Sequence, residues 1–339
     1  MVRVGIVGFG FMGKMHLRCY RALNDVTVVA VCDAEQSRLK NIKGAAGNIQ
    51  GAEAPPDLTG VNLYFDFDKM LAEEKLDAVS ITLPTFLHRD FAVKALEARV
   101  NVLCEKPMAM HTAQCEDMIV AAQQSGKVLQ IGHCIRFWPQ YAKTKQLIDS
   151  GDYGRVLVCS FRRLSAPPTW SWQNWLTNKD QSGGALMDLH IHDTDFVQYL
   201  FGVPKAVHSQ AVLGPAGGFD YVSTQYLYKD QRVLVAEGGF VTSPSFRFEM
   251  SFNIILEKAA IAYDCTRDPA FTVFPAQGQF FTPDVESGDG YSLEIAHFIK
   301  KITGQKVPEI ISPIDSLNAV KIVLAEKHSA QTKKEVPIL

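Results

Sequence analysis

One short segment restricts the possible folds of this chain more than any other. Gly8-Phe9-Gly10-Phe11-Met12-Gly13 fits G-x-G-x-x-G. The pattern alone is weak. Here it follows a largely apolar run, Val2–Val7, that reads as a strand, and it opens a helical pattern from about Met12 to Leu23. Asp33 then closes a second, β-branched run, Val26–Cys32, twenty positions beyond Gly13. This is the context a dinucleotide-binding turn requires. Gly8 permits the tight turn, Gly10 lets the backbone approach a pyrophosphate, and Gly13 lets the helix pack close to the strand. Phe9, Phe11 and Met12 complete the cofactor-binding loop. The anion meets backbone N–H groups that lack partners at the helix N-terminus. Asp33 is suited to accept hydrogen bonds from the adenosine ribose hydroxyls and to repel a 2′-phosphate. NAD is therefore expected in preference to NADP, with NADP left open because Arg38 or another cation could reach a 2′-phosphate.

The rest of the first third repeats the alternation. Leu63–Phe65, Asp77–Leu83, Val100–Cys104 and Val128–Gly132 read as strands; Leu87–Ala98 and about Thr112–Ser125 read as helices. Such alternation predicts a parallel sheet with helices on both faces. Gly44–Gly60 breaks the rhythm with Gly, Pro and Asn and reads as a surface loop. After about residue 133 the pattern changes. A helix near Pro139–Ser150 is followed by β-rich runs at Val156–Leu164, Ala206–Val212, Ser223–Tyr228, Arg232–Phe240, Arg247–Ile255 and Lys258–Tyr263, with a helix near Ala185–Leu200. Short turns between long strands predict antiparallel pairing. The expected architecture is α/β: a dinucleotide-binding domain with a parallel sheet over residues 1–132, then an α+β domain over 133–339 with a mainly antiparallel sheet. Helices at Leu293–Thr303 and Ile314–Ser329 close the chain, and late helices of this kind often pack back on the first domain. A length of 339 residues suits two domains of ~100–200 residues each.

Charge and composition exclude other classes. The 34 basic and 36 acidic residues leave a net charge of -2, against the basic excess of a dedicated nucleic-acid binder. The longest purely apolar run, Val28–Cys32, falls far short of the ~20 residues a spanning helix needs, so no membrane partner is expected. The N-terminal apolar stretch is broken by Gly5, Gly8, Gly10 and Gly13 and has no small-residue cleavage site, unlike a signal peptide. Seven cysteines without a Cys-x-x-Cys pair read as reduced thiols of a cytoplasmic protein.

Two further clusters carry a resemblance to a known family. One is Thr82-Leu83-Pro84-Thr85-Phe86-Leu87-His88, followed by Glu105-Lys106-Pro107. The other is Gly183-Gly184-Ala185-Leu186-Met187-Asp188-Leu189-His190-Ile191-His192-Asp193. With the glycine turn, in this order and at these spacings, the chain resembles the Gfo/Idh/MocA oxidoreductases, which include inositol and glucose-type dehydrogenases. The resemblance covers nearly the whole chain, including the Arg136-Phe137-x-Pro139 stretch. It implies an N-terminal Rossmann domain, a C-terminal domain with a large open sheet, and a cofactor lying in the cleft between the two. Lys106 matches the lysine of the family's Glu-Lys-Pro motif, beside Glu105, and Asp188 and His192 match its Asp-x-x-x-His pair. Thr82, Pro84, Thr85 and His88 match the segment that lines the nicotinamide side. The family also implies a homodimer or homotetramer joined through the open sheet, and it leaves open whether Lys106-Pro107 is cis.

Elementary chemistry supports these roles. Asp188 and His192 are i and i+4, so on a helix their side chains can meet. A carboxylate beside an imidazole fixes its tautomer and stabilises its protonated form. Such a histidine can take a hydroxyl proton as hydride leaves the same carbon. A lysine near that oxygen stabilises developing alkoxide or polarises the carbonyl in reverse. His190 is i+2 from both and points elsewhere on a regular helix. The crowding of Asp188, His190, His192, Asp193 and Asp195 raises a metal site, but no thiolate pair or His-Glu-x-x-His pattern accompanies it, and none is expected. His88 suits a cap or packing role as well as cofactor contact, and Arg136 suits either a substrate contact or a structural salt bridge. Trp172, with Trp170 and Trp175, can stack on the apolar face of a sugar ring or cover core. The expected substrate is a sugar, cyclitol or related polyol, bound through Lys106, Arg136, Trp172, Asp188 and His192. Two other functions compete: a redox-neutral NAD-dependent glycoside hydrolase and a non-catalytic nucleotide sensor.

Overall fold

In the computed structural model, which describes residues 1–40, 55–214, 217–241 and 243–338, strand β1 (Val2–Val7) buries Val4, Ile6 and Val7 at the centre of a parallel sheet. The chain continues as helix α1 (Phe11–Arg21), β2 (Val26–Cys32), α2 (Gln36–Lys40), β3 (Asn62–Tyr64), α3 (Phe67–Glu73), β4 (Ala78–Ile81), α4 (His88–Glu97), β5 (Asn101–Glu105), α5 (Thr112–Ser125) and β6 (Leu129–Gly132). The six strands lie in the order β3-β2-β1-β4-β5-β6, and every pair is parallel. The order reverses between β1 and β4, which opens a crevice at the carboxyl ends of those strands, where open α/β sheets bind ligands. Two helices escape the sequence reading. The short α2 carries no clear period. The longer α3 is started by Asp66, whose carboxylate accepts the Lys69 N–H at 3.0 Å. The surface-loop reading of Gly44–Gly60 falls outside the described residues up to residue 54; residues 55–60 form no helix or strand.

Two compact units form: Met1–Cys134 with Asp289–Leu317, and Ile135–Gly288 with Asn318–Leu339. The second contains α6 (Pro139–Asp149), β7 (Val156–Ser165), α7 (Lys179–Ser182), α8 (Ile191–Phe201), β8 (Ala206–Leu213), β9 (Phe219–Leu227), β10 (Val233–Phe240), β11 (Glu249–Leu256), β12 (Ala259–Asp264) and β13 (Phe271–Pro275). The helices α9 (Gly290–Ile302) and α10 (Pro313–Thr332) and the short strand β14 (Val336–Pro337) end the chain. Within the first unit α9 packs on α1, and its N-terminus is closed by a capping box between Asp289 and Ser292.

The second unit's sheet has eight strands in the order β13-β12-β11-β7-β10-β9-β8-β14. Its pairs are antiparallel except one: β10 runs parallel to β7. The connection between those two strands is long enough to hold α7, α8, β8 and β9, as parallel neighbours require. Helix α8 lies against β7 and β10. Beneath it an aromatic cluster fills the core, with the Tyr141 ring 4.8 Å from Phe196 and 4.9 Å from Phe252, both edge-on. The other face shows Val158, Val233 and Ile255 in one cross-strand row, Ser160, Val235 and Asn253 in the next, and Arg162, Glu237 and Ser251 in the third. Arg162 lies 3.4 Å from Glu237 and 3.6 Å from Glu249.

Candidate active site

The glycine turn has the geometry its spacing predicts. Gly8 has a φ of 91°, and a Cβ there would lie 2.8 Å from the Thr82 carbonyl oxygen. A Cβ on Gly13 would overlap the carbonyl oxygen of Gly8, so helix and turn touch backbone to backbone. A Cβ on Gly10 would meet nothing within 4 Å, which leaves the loop open on the side where a pyrophosphate approaches. No side chain caps the N-terminus of α1. Phe9 is buried, while Phe11 and Met12 are half-buried at the start of the helix. The Thr82 hydroxyl donates to the carbonyls of Gly8 at 2.6 Å and Val7 at 3.1 Å, so Thr82 clamps the turn from the neighbouring strand end. The Thr85 hydroxyl is buried with no hydrogen-bond partner among the described residues. A buried orphan hydroxyl beside an open loop suits a polar group of a bound molecule. These features fit a dinucleotide.

Asp33, 5% exposed, accepts the Phe9 N–H at 2.7 Å on one oxygen and the Glu35 N–H at 2.9 Å on the other. The Phe9 bond ties the Asp33 carboxylate to the glycine loop. Arg38 donates to the same carboxylate at 3.1 Å.

Downstream, Lys106 follows the buried Glu105 at the end of β5 and is half-buried, and the Lys106-Pro107 bond is cis. Glu105 accepts from His16 at 2.9 Å; His16 meets Ser80 at 3.1 Å, and Ser80 meets the Tyr20 hydroxyl at 2.8 Å. Burial would raise the Glu105 pKa, but the His16 hydrogen bond and the charges of His16, Lys106 and His88 hold it below the usual carboxylate range. His16 was not singled out from the sequence. The signal was there: a histidine on the buried side of α1 needs polar partners.

His88 departs from the expected cofactor contact. Its two ring nitrogens face the carbonyls of Leu83 and Pro107, each at 2.8 Å, and the ring is buried. Burial depresses its pKa. The imidazole braces the loop of Pro84 and Thr85 against the Glu105-Lys106-Pro107 segment instead of presenting a nitrogen to a ligand.

In the second unit, the expected regular helix over 185–200 is in fact a π turn, Leu186–His190, running into α8. Gly183 and Gly184 lead into it with φ of 78° and 74°. Asp188 and His192 stand on either side of the junction, both half-buried, so the simple i,i+4 argument for a regular helix does not describe them. π turns of this kind recur at functional sites. The residues around them are anchored. His190 is fully buried, with its Nε2 3.3 Å from both Glu326 and the Tyr226 hydroxyl. Thr194 links Tyr226 at 2.9 Å and Glu326 at 3.0 Å. Asp193 takes two bonds from Arg163, each 2.9 Å. Asp195 takes two from Arg136, at 2.8 and 2.7 Å.

Arg136 therefore also departs from its expected substrate contact: its buried guanidinium grips Asp195 and lies 4.5 Å from the Tyr199 ring centre. The same pairings take Asp193, Asp195 and His190 out of any metal cluster, and among the described residues no three His, Cys, Asp or Glu side chains converge as ligands. Trp172 begins a 3-10 segment, Trp172–Thr177, and its side chain is 38% exposed, as is Trp170.

A family model described as the NAD-binding Rossmann fold of the GFO_IDH_MocA oxidoreductases matches residues 2–133, and the family's C-terminal domain model matches residues 141–262. The chain belongs to the Gfo/Idh/MocA oxidoreductase family. Its relatives in this family include a 2,7-anhydro-N-acetylneuraminate hydratase of Mediterraneibacter gnavus, 31% identical over 70% of this chain and 61% of the relative. They also include a myo-inositol 2-dehydrogenase of Thermotoga maritima, 24% identical over 99% and 98%. The chain thus aligns with less than two thirds of the first and nearly all of the second. The WlbA dehydrogenase of Bordetella pertussis, solved in complex with NADH and UDP-GlcNAcA, superposes with a TM-score of 0.82 at 22% identity, covering 100% of this chain and 99% of that one. That likeness speaks to the fold. Among the described residues no helix is long and apolar enough to cross a membrane.

Proposed function

We propose that this Gfo/Idh/MocA chain is an NAD-dependent dehydrogenase moving hydride between a secondary alcohol of a sugar, cyclitol or related polyol and the nicotinamide. One observation carries the assignment of roles. Lys106 in the first unit and Asp188 and His192 in the second keep partial exposure, whereas polar residues near them in sequence, Glu105 and His88 in the first unit and His190, Asp193, Asp195 and Arg136 in the second, are buried. The buried residues build the scaffold of each unit, and the half-buried ones keep surface that substrate can reach. The bound cofactor supplies the hydride acceptor. His192 takes the hydroxyl proton on an imidazole nitrogen, and Asp188 stabilises the resulting cation. The Lys106 ammonium stabilises the developing alkoxide. Trp172 offers an exposed indole face to the apolar side of a pyranose or cyclitol ring. The dehydrogenase relative spanning the whole chain favours this reading.

The test is absorbance at 340 nm with purified protein, NAD, and a panel of inositols, aldoses, anhydrosugars and glycosides. NADH formation with a polyol, lost in Lys106→Ala, is expected. The hydratase relative favours a second reading, in which oxidation is transient and no NADH accumulates. Product release from a glycoside or anhydrosugar without absorbance change, still dependent on bound NAD, would replace the dehydrogenase with that reading.

A homodimer or homotetramer through the open face of the eight-stranded sheet is part of the proposal. The apolar row of Val158, Val233 and Ile255 beside the Arg162, Glu237 and Glu249 charges gives that face both burial and complementary polarity. Ile255→Lys is expected to shift the sedimentation profile toward monomer; an unchanged profile would move the interface elsewhere. Seven cysteines, none of them in a disulfide, fit the reducing cytoplasm in which we place the protein.

A further inference from the structure

We propose that Glu326 on α10 and Gly238 on β10 are positioning residues for the Asp188 and His192 pair: between them they fix His190, and with it the π turn that carries Asp188 and leads into His192. This rests on the roles proposed above for Asp188 and His192.

The π turn packs on β9 and β10, and His190 is its last residue. The ring is fully buried, and its two nitrogens meet different surroundings. Nε2 faces two oxygens, Glu326 Oε2 and the Tyr226 hydroxyl, each at 3.3 Å. Nδ1 is buried with no hydrogen-bond partner among the described residues. A proton on Nδ1 would be a buried donor with nothing to receive it, so the ring proton belongs on Nε2, beside the carboxylate. Glu326 thereby selects one tautomer and one ring orientation. That carboxylate is itself held. Its Oε1 accepts the Thr194 hydroxyl at 3.0 Å, and one turn further along α10 the Ser329 hydroxyl accepts the Ser209 N–H of β8 at 2.9 Å. The last helix of the chain therefore reaches the π turn through a contact sealed from solvent.

Gly238 closes the other side. A Cβ there would lie 3.2 Å from His190 Nδ1, 3.4 Å from His190 Cα and 3.3 Å from the Arg163 carbonyl oxygen. The glycine lets the turn lie close against the strand, and any side chain would push the turn by a few tenths of an ångström. Glu326 and Gly238 act through His190, not on substrate or cofactor. Their effect is large because a displacement of about 1 Å in a reacting group can cost about 10²-fold in rate.

Nitrogen NMR with isotope-labelled histidine tests the placement without a substrate. The His190 ring signals, assigned by their loss in His190→Asn, should report a proton on Nε2 in wild type. Glu326→Gln should abolish that state, because its amide turns an N–H₂ toward Nε2 once its oxygen accepts from Thr194. The His192 ring signals should shift in both Glu326→Gln and Gly238→Ala. Turnover is then measured below the melting transition of each variant, with NAD and the alcohol that wild type oxidises fastest. Both variants should lower kcat by about tenfold to a hundredfold and leave KM for the alcohol and the affinity for NADH near wild type. Glu326→Asp, which keeps the charge, should recover part of kcat. If Glu326→Gln does not fold, Gly238→Ala carries the same two readouts. A wild-type His190 protonated on Nδ1 overturns the proposal. So do unchanged His192 signals and unchanged kcat in the folded variants, which would leave both residues with a purely structural role. The expected NMR shifts in a protein that releases product without forming NADH uphold the positioning and overturn the dehydrogenase reading instead.

Discussion

Asp193→Ala is expected to lower the stability of the second unit by about 3–5 kcal/mol, the cost of leaving one partner of a buried ion pair uncompensated. The partner here is Arg163, fully buried on β7, whose guanidinium also reaches the Tyr141 hydroxyl at 3.3 Å. Tyr141 belongs to the aromatic cluster with Phe196 and Phe252, so a displaced guanidinium would disturb the core of the sheet as well as the start of α8. Urea denaturation followed by tryptophan fluorescence measures the loss. The double variant Arg163→Met with Asp193→Leu should cost far less than Asp193→Ala alone, because no charge is then stranded. Equal losses in the single and double variants would show that shape, not charge, governs this position.

The ion pairs in that prediction mark the limit of what the residues alone disclosed. Strand alternation and the glycine turn announced the parallel sheet, because a period of two and a period of 3.6 leave distinct traces in apolar residues. The β-rich runs of the second unit announced a sheet but not its one parallel pair, since pairing between β7 and β10 is decided by strands and helices inserted between them. The crowding of Asp193 and Asp195 with Asp188, His190 and His192 raised a metal site that the missing ligand patterns argued against. Only three dimensions show that Arg163, Glu326 and Arg136, drawn from distant segments, convert Asp193, Thr194 and Asp195 into satisfied interior groups. The π turn was equally hidden, because a helical period in apolar residues does not tell it from an α-helix. Gly8, Gly13 and Asp33 were readable because their roles depend on backbone conformation and short-range spacing. Arg136 and His88 each carried a structural and a ligand-contact reading, because both are polar residues in motif segments, and nothing in one sequence separates a group that braces a motif from one that serves it.

That separation sets the largest expected effect on activity. His192→Ala is expected to reduce kcat by about 10²–10⁴, the span of a lost general base, and Lys106→Ala by about 10²–10³, the span of a lost charge at a developing oxyanion. The affinity for NADH should stay near wild type in His192→Ala, because the imidazole belongs to the second unit and every residue of the glycine turn and Asp33 to the first. Asp188→Asn should fall between wild type and His192→Ala, since under the proposed roles it keeps the side-chain shape and removes only the charge that would stabilise the imidazolium. The contrast with the braced residues is the discriminating part. His190→Ala removes a buried ring held by Glu326 and Tyr226, and should show as a lowered melting temperature. His192→Ala, at a half-buried position, should lower the melting temperature less than His190→Ala while activity collapses. If His192→Ala retains more than about a tenth of wild-type kcat, less than the smallest loss that general-base removal produces, then proton transfer belongs to another group, and the half-buried Lys106 is the next side chain to test as the base.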